Sequence, residues 1–217
     1  MIFREQNFGK SQVEIFRFVE NENTLQYIKA IKHELLLNVN DIVAVGTESF
    51  YATNDLYFTN GILKFVEPFL SLPWCDVVYY SPQTLQVVAG GFLIANGIKI
   101  SPDKRHLYVS NIMKHKISVT NPVHELPISL TLEVDVGSVC DNIEVDHESG
   151  DLWLSCHPNG LKFMLSDPND PPGSEVIRIE NIFSENVIVA SSVATQYGGK
   201  LLIGTVYQKA LICDLKL

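Results

Sequence analysis

A chain of 217 residues that is 46% hydrophobic can bury one substantial core, so a single domain is the starting expectation. The formal charge of −9 argues against a nucleic-acid surface, which needs clustered Lys and Arg, and suits carboxylate sites for divalent cations. Four widely spaced cysteines (Cys75, Cys140, Cys156, Cys213) with no CxxC pair set aside zinc and dithiol redox centres.

In chain order, residues 1–10 are short and polar and lack the apolar core of a signal peptide. Period-2 alternation at 13–18 and 25–31 reads as two strands. NDIVAVGTESFYATND, from Asn40, then opens a pattern that recurs: a small polar pair, alternating apolar residues, a turn, and a second aliphatic or aromatic strand. The other copies are NGIKISPDKRHLYVSN from Asn96, DNIEVDHESGDLWLSC from Asp141 and SSVATQYGGKLLIGTV from Ser191. Aligned on Ile42, Ile98, Ile143 and Val193, they stand about 56, 45 and 50 residues apart, the range of propeller blades. Pro102-Asp103, Ser149-Gly150 and Gly198-Gly199 supply the turns. Further strands fall at 77–80, 85–88, 117–120, 128–134 and 176–179, about four per repeat. The expected fold class is therefore all-β, a β-propeller of about four blades with no evident closing strand.

One segment breaks the strand texture. From 61 to 74, Ile62, Phe65, Val66, Phe69 and Leu70 form a helical stripe, with Pro68 set to kink or shorten the helix. Two readings are open for this stripe: packing on the core, or facing a lipid or a partner.

Residues that open the innermost strand of different blades meet at a propeller's central channel. Asn40 and Asp41, Asn96, and Asp141 and Asn142 hold that equivalent place. Their amide and carboxylate oxygens are the donors that a hard cation such as calcium takes. The competing reading is that each pair is a turn bonding its own backbone. His157 follows the second strand of the third repeat, either near the channel or on the opposite rim. Cys156 reads as a small buried hydrophobe, with no basic neighbour to activate it, and Cys140 is still less suited to be a thiolate.

NDIVAVGTESFYATND, VVYYSP, ANGIKISPD, DNIEVDHESGDLWLSCHPNG, PPGSEVIRI and GKLLIGTVYQKAL together resemble the paraoxonase family of calcium-dependent lactonases and arylesterases, from about Ser11 onward. The resemblance implies a six-bladed propeller with two calcium ions, one catalytic and one structural. Asn40, Asn96, Asp141 and Asn142 match the catalytic-calcium ligands, and Asp41 matches a structural-calcium ligand. His157 matches a histidine close to the pocket, and Cys213 a cysteine that pairs with one near the family N-terminus. The implied chemistry is ester or lactone hydrolysis, with Asp141 and His157 the candidate bases here. The resemblance also implies secretion, and a lipoprotein or membrane association through 61–74; a homodimer is left open.

Departures accompany the match. The family's opening third, with its leader, a Glu-Asp calcium pair, a histidine dyad and the closing strand, has no counterpart, and 1–10 stand apart from 11–217. The stretch between Ile179 and Ser191 is short, and Leu56 stands where relatives usually carry His. The expectation is a weakened or inactive enzyme, with a non-catalytic binding or regulatory isoform as the alternative. A gluconolactonase-like propeller outside the family fits the CHPNG and VVYYSP motifs less well.

Overall fold

The computed structural model describes residues 2–7, 10–120, 128–165, 167, 169–179, 191–197, 200–205 and 211–214. Among these residues the strands form five sheets, and in each the strands follow one another in chain order, the meander of a propeller blade. The first sheet holds β1 (Ile2–Asn7), β2 (Lys10–Val19) and β3 (Thr24–Ile31). The second holds β4 (Val39–Ala44), β5 (Phe50–Asn54), β6 (Cys75–Ser81) and β7 (Thr84–Phe92). The third holds β8 (Ala95–Ile100), β9 (Leu107–Asn111), β10 (Lys116–Thr120) and β11 (Leu130–Asp135). The fourth holds β12 (Val139–Val145), β13 (Leu152–His157) and β14 (Glu175–Ile179), and the last β15 (Ser191–Tyr197), β16 (Lys200–Thr205) and β17 (Leu211–Asp214). Each of the four repeats has thus become one sheet, and the N-terminal strands make another. Gly198-Gly199 and the short stretch 180–190 lie outside the described residues.

The contacts divide the chain into two compact units, 1–98 with 126–128 and 99–125 with 129–217. In the first unit, alternate residues of neighbouring strands build a core of Val13, Ile15, Ile31, Leu36, Val39, Phe50, Ala52 and Val78. In the second, Ile117, Cys140, Ile143, Val145, Leu152, Leu154, Cys156 and Ile177 do so. Leu152, Leu154 and Cys156 point to that core, which leaves Trp153, Ser155 and His157 on the other face of β13, all three buried.

The segment after β5 is fastened by polar groups. Asn54 accepts from the N–H groups of Leu37 and Asn38 and donates to the Leu35 carbonyl and to Asp76. Burial raises the Asp76 carboxyl above its ordinary range, and the Asn54 hydrogen bond partly offsets this. Asn38 Nδ2 donates to the carbonyls of Leu56 and Phe58, each at 2.8 Å. Glu67, 2% exposed, accepts from the N–H groups of Tyr57 at 2.6 Å and Phe58 at 2.9 Å.

That last contact orients α1 (Gly61–Leu70). Asn60 Oδ1 caps it by accepting from the Ile62 N–H, and Ser71 in a left-handed conformation (φ 49°) ends it. The helix stops short of Trp74, with Pro68 inside its last turn. Its apolar stripe does not pack on the core. Ile62 is 78% exposed, Phe65 74% and Phe69 63%, with Val66 and Leu70 exposed as well. The core-packing alternative is corrected by Glu67: two backbone N–H groups of the loop need a buried acceptor, and the helix turns its carboxylate inward to provide it.

Candidate functional site

Two of the polar pairs stand in β-bulges. Between the rungs Val39↔Asn54 and Ile42↔Ala52, Asn40 and Asp41 face a single residue, Thr53. Between Cys140↔Cys156 and Ile143↔Leu154, Asp141 and Asn142 likewise face Ser155 alone. A bulge breaks the strict in-out alternation and re-aims a side chain, so both members of a pair are freed from the usual strand geometry.

In the first unit, hydrogen bonds draw Asn40, Asp41 and Asn96 together. Thr53 Oγ1 accepts from the Asp41 N–H at 3.1 Å and donates to the Asn96 carbonyl at 2.6 Å. Asp41 Oδ1 accepts from its neighbour Ile42 N–H at 2.8 Å, and Oδ2 accepts from the Ile98 N–H at 2.9 Å. Asn40 Nδ2 donates to Asp55 Oδ2 at 3.0 Å. Asn96 is 7% exposed, and its side-chain Oδ1 is buried without a hydrogen-bond partner among the described residues. A buried amide oxygen left this way is costly unless something else takes it up, and a cation is one such partner.

In the second unit, His157 ends β13 opposite Val139, where β12 begins. It therefore shares the strand-pair end that carries Asp141. The turn CHPNG packs the ring. Asn159 Oδ1 accepts from the Lys162 N–H to start α2 (Gly160–Leu165). At Gly160, a Cβ would lie 2.7 Å from a Val139 methyl, so glycine lets the helix sit on β12. Phe163 then stacks on the His157 ring, with centroids 4.0 Å apart and planes at 13°. His157 is 0% exposed.

Cys156 is buried, but it is no lone hydrophobe: it forms a disulfide with Cys140 directly across the strand pair. Cys75 is a free buried thiol, and burial pushes it up to about 12. The side chain of Cys213 lies outside the described residues.

Sequence reasoning also passed over Thr53, Ser110 and Ser155. The signal was there, because each repeat carries a hydroxyl residue 11 or 12 positions after its aligned apolar residue. Ser110 donates to the Cys140 carbonyl much as Thr53 donates to Asn96. Among the described residues, no group of three or more His, Cys, Asp or Glu is placed to hold a metal. The candidate donors differ from such a cluster in being mostly amides.

The arylesterase family model matches residues 2–215. Serum paraoxonase/arylesterase 2 of Rattus norvegicus is 50% identical over 218 residues, which cover 95% of this chain and 62% of the relative. Serum paraoxonase/arylesterase 1 of Homo sapiens is 48% identical over 219 residues, with the same coverage. The chain thus spans about 62% of the length of these curated relatives. Among solved structures, the calcium-binding protein regucalcin from Agrobacterium tumefaciens aligns with a TM-score of 0.57 at 11% identity, over 99% of this chain and 74% of that one. A gluconolactonase from Xanthomonas campestris aligns with a TM-score of 0.57 at 16% identity, over 93% and 64%. At such identities the likeness speaks for the fold alone, an all-β fold of the propeller type.

Proposed function

Because the chain belongs to the arylesterase family, we propose that it serves calcium-dependent hydrolysis of aryl esters and lactones. The observation that carries the reading is the matched pair of bulges, each presenting two oxygen-bearing side chains opposite a hydroxyl residue. Asn40, Asp41, Asn96, Asp141 and Asn142 are the proposed donors. The Asn96 Oδ1, buried without a hydrogen-bond partner among the described residues, fits an oxygen-seeking cation better than a turn residue, whose side chain would bond its own backbone.

Calcium, when bound, supplies a Lewis acid that polarises the ester carbonyl and neutralises charge developing on its oxygen. The chain's own residues have other tasks. The bulges aim the donors, and Thr53 fixes one bulge against the strand that carries Asn96. Asp141 and His157 are the groups proposed to take the proton of the attacking water. The Phe163 ring holds His157 in one orientation and keeps bulk water from its face. Turnover of an aryl ester and a lactone, measured with calcium and with a chelator, tests this reading. Activity is expected to disappear with chelator and to return with added calcium. Chelator-insensitive turnover would overturn it. Calcium binding without turnover would favour a non-catalytic binding role.

The exposed face of α1 supports a lipid or lipoprotein surface as partner. Tyr57, Phe58 and Trp74 make an aromatic cluster with ring centroids 5.5 to 5.7 Å apart, and Tyr57 and Trp74 are exposed like the helix stripe. Apolar residues of this kind insert at the headgroup level of a lipid layer. No described helix is long and apolar enough to cross a membrane. Extracellular placement is part of the proposal, supported by the Cys140–Cys156 disulfide, since such bonds persist in oxidising compartments.

A further inference from the structure

The two bulges are alike in register, and one of them is flanked by a covalent rung. Around Asn40 and Asp41 the fastening is by hydrogen bonds: Thr53 Oγ1 on Asp41 N and Asn96 O, and both Asp41 carboxylate oxygens on backbone N–H groups. Around Asp141 and Asn142 the corresponding hydroxyl is Ser155 Oγ, which is buried without a hydrogen-bond partner among the described residues, while Ser110 Oγ donates to the Cys140 carbonyl beside the bulge. What stands beside it is a covalent rung. Cys140 immediately precedes Asp141, Cys156 immediately precedes His157, and the two cysteines face each other and are bonded.

A bulge is where the ladder of a strand pair is interrupted, so its residues are held chiefly by the rungs on either side. Here one flanking rung is Ile143↔Leu154, an ordinary apolar pair, and the other is the disulfide. The bond fixes the separation of β12 and β13 at the point where both Asp141 and His157 leave it. We propose that the Cys140–Cys156 disulfide is a positioning element for Asp141, Asn142 and His157, so that the chain's calcium affinity depends on its thiol–disulfide state. The proposal rests on the calcium reading above. Reduction by a dithiol delivers two electrons and two protons to the S–S bond, giving two protein thiols while the dithiol closes to its cyclic disulfide. Loss of the bond removes the covalent link between β12 and β13 on that side of the bulge, and the ligand pair then samples more than one geometry.

The experiment is a calcium titration by calorimetry on the oxidised chain and on the chain reduced with dithiothreitol. Thiols are counted in denaturant before and after, and circular dichroism confirms that each sample is folded. A Cys140→Val/Cys156→Ala chain is titrated in parallel, with Cys75→Ala as the control for a thiol away from the bulge. Reduction is expected to add two thiols and to weaken calcium binding roughly tenfold or more, the scale seen when groups that orient metal ligands are removed. The double variant should match the reduced chain and Cys75→Ala should match the oxidised one. Equal affinity before and after confirmed reduction would overturn the proposal, as would finding the two thiols already free. If the double variant fails to fold, the reduced sample decides alone. An oxidised chain with the bond intact and no calcium binding at all sinks the calcium reading, and the proposal falls with it.

Discussion

An Asp41→Ala chain is expected to lose about 3 kcal/mol of stability, since hydrogen bonds to a charged group contribute about 1.5–3 kcal/mol each and two are removed. Oδ1 accepts from the Ile42 N–H and Oδ2 from the Ile98 N–H, and Ile98 is fully buried. Alanine removes the acceptor from both donors, which is the expensive case for a buried N–H. Asp41→Asn keeps one oxygen and should fall between the two. On the proposed reading Asp41 is also a calcium donor, so the variant should lose part of the calcium-induced rise in Tm that the parent chain shows. Urea unfolding with and without calcium measures both effects. A loss below about 1 kcal/mol would show that the carboxylate is not what ties β4 to β8.

The second large effect concerns a surface. Replacing Ile62 and Phe65 together by Asp is expected to abolish binding to phosphatidylcholine vesicles, because two apolar side chains of about 1.5–3 kcal/mol each no longer insert. Both side chains are more than 70% exposed, at 78% and 74%, so stability should move by no more than about 0.5 kcal/mol per site. That contrast separates lost docking from lost folding. Uncharged lipid is the right probe, because the chain itself carries a net charge of −9 and gains nothing from an anionic surface. Vesicle flotation reads the result, and undiminished co-flotation of the double variant would remove α1 from any lipid contact.

Much of the fold was legible in the sequence because strand periodicity and repeat spacing are local signals. Ile42, Ile98, Ile143 and Val193 mark strands that open four separate sheets. The polar pairs stood out for the same reason, since aligning the repeats placed them in register. What the sequence hid depended on partners distant in the chain. The stripe on α1 carries the period of a buried helix face, and nothing local says that Glu67 is the residue turned inward. Its partners are backbone N–H groups, which carry no hydropathy at all. Cys140 and Cys156, 16 residues apart, form no recognisable motif, and their bond follows from register alone. The bulges themselves arise from two residues facing one, a count that requires both strands to be placed.

On the proposed reading, amide and carboxylate oxygens of the two bulges, together with that of Asn96, hold calcium. Its most direct test is an equilibrium calcium titration of the oxidised chain beside Asn96→Ala and Asp141→Ala. Saturable binding by the parent chain is expected, weakened at least roughly tenfold in each variant. Saturable binding that is the same in all three chains, or no binding by the parent, would contradict it.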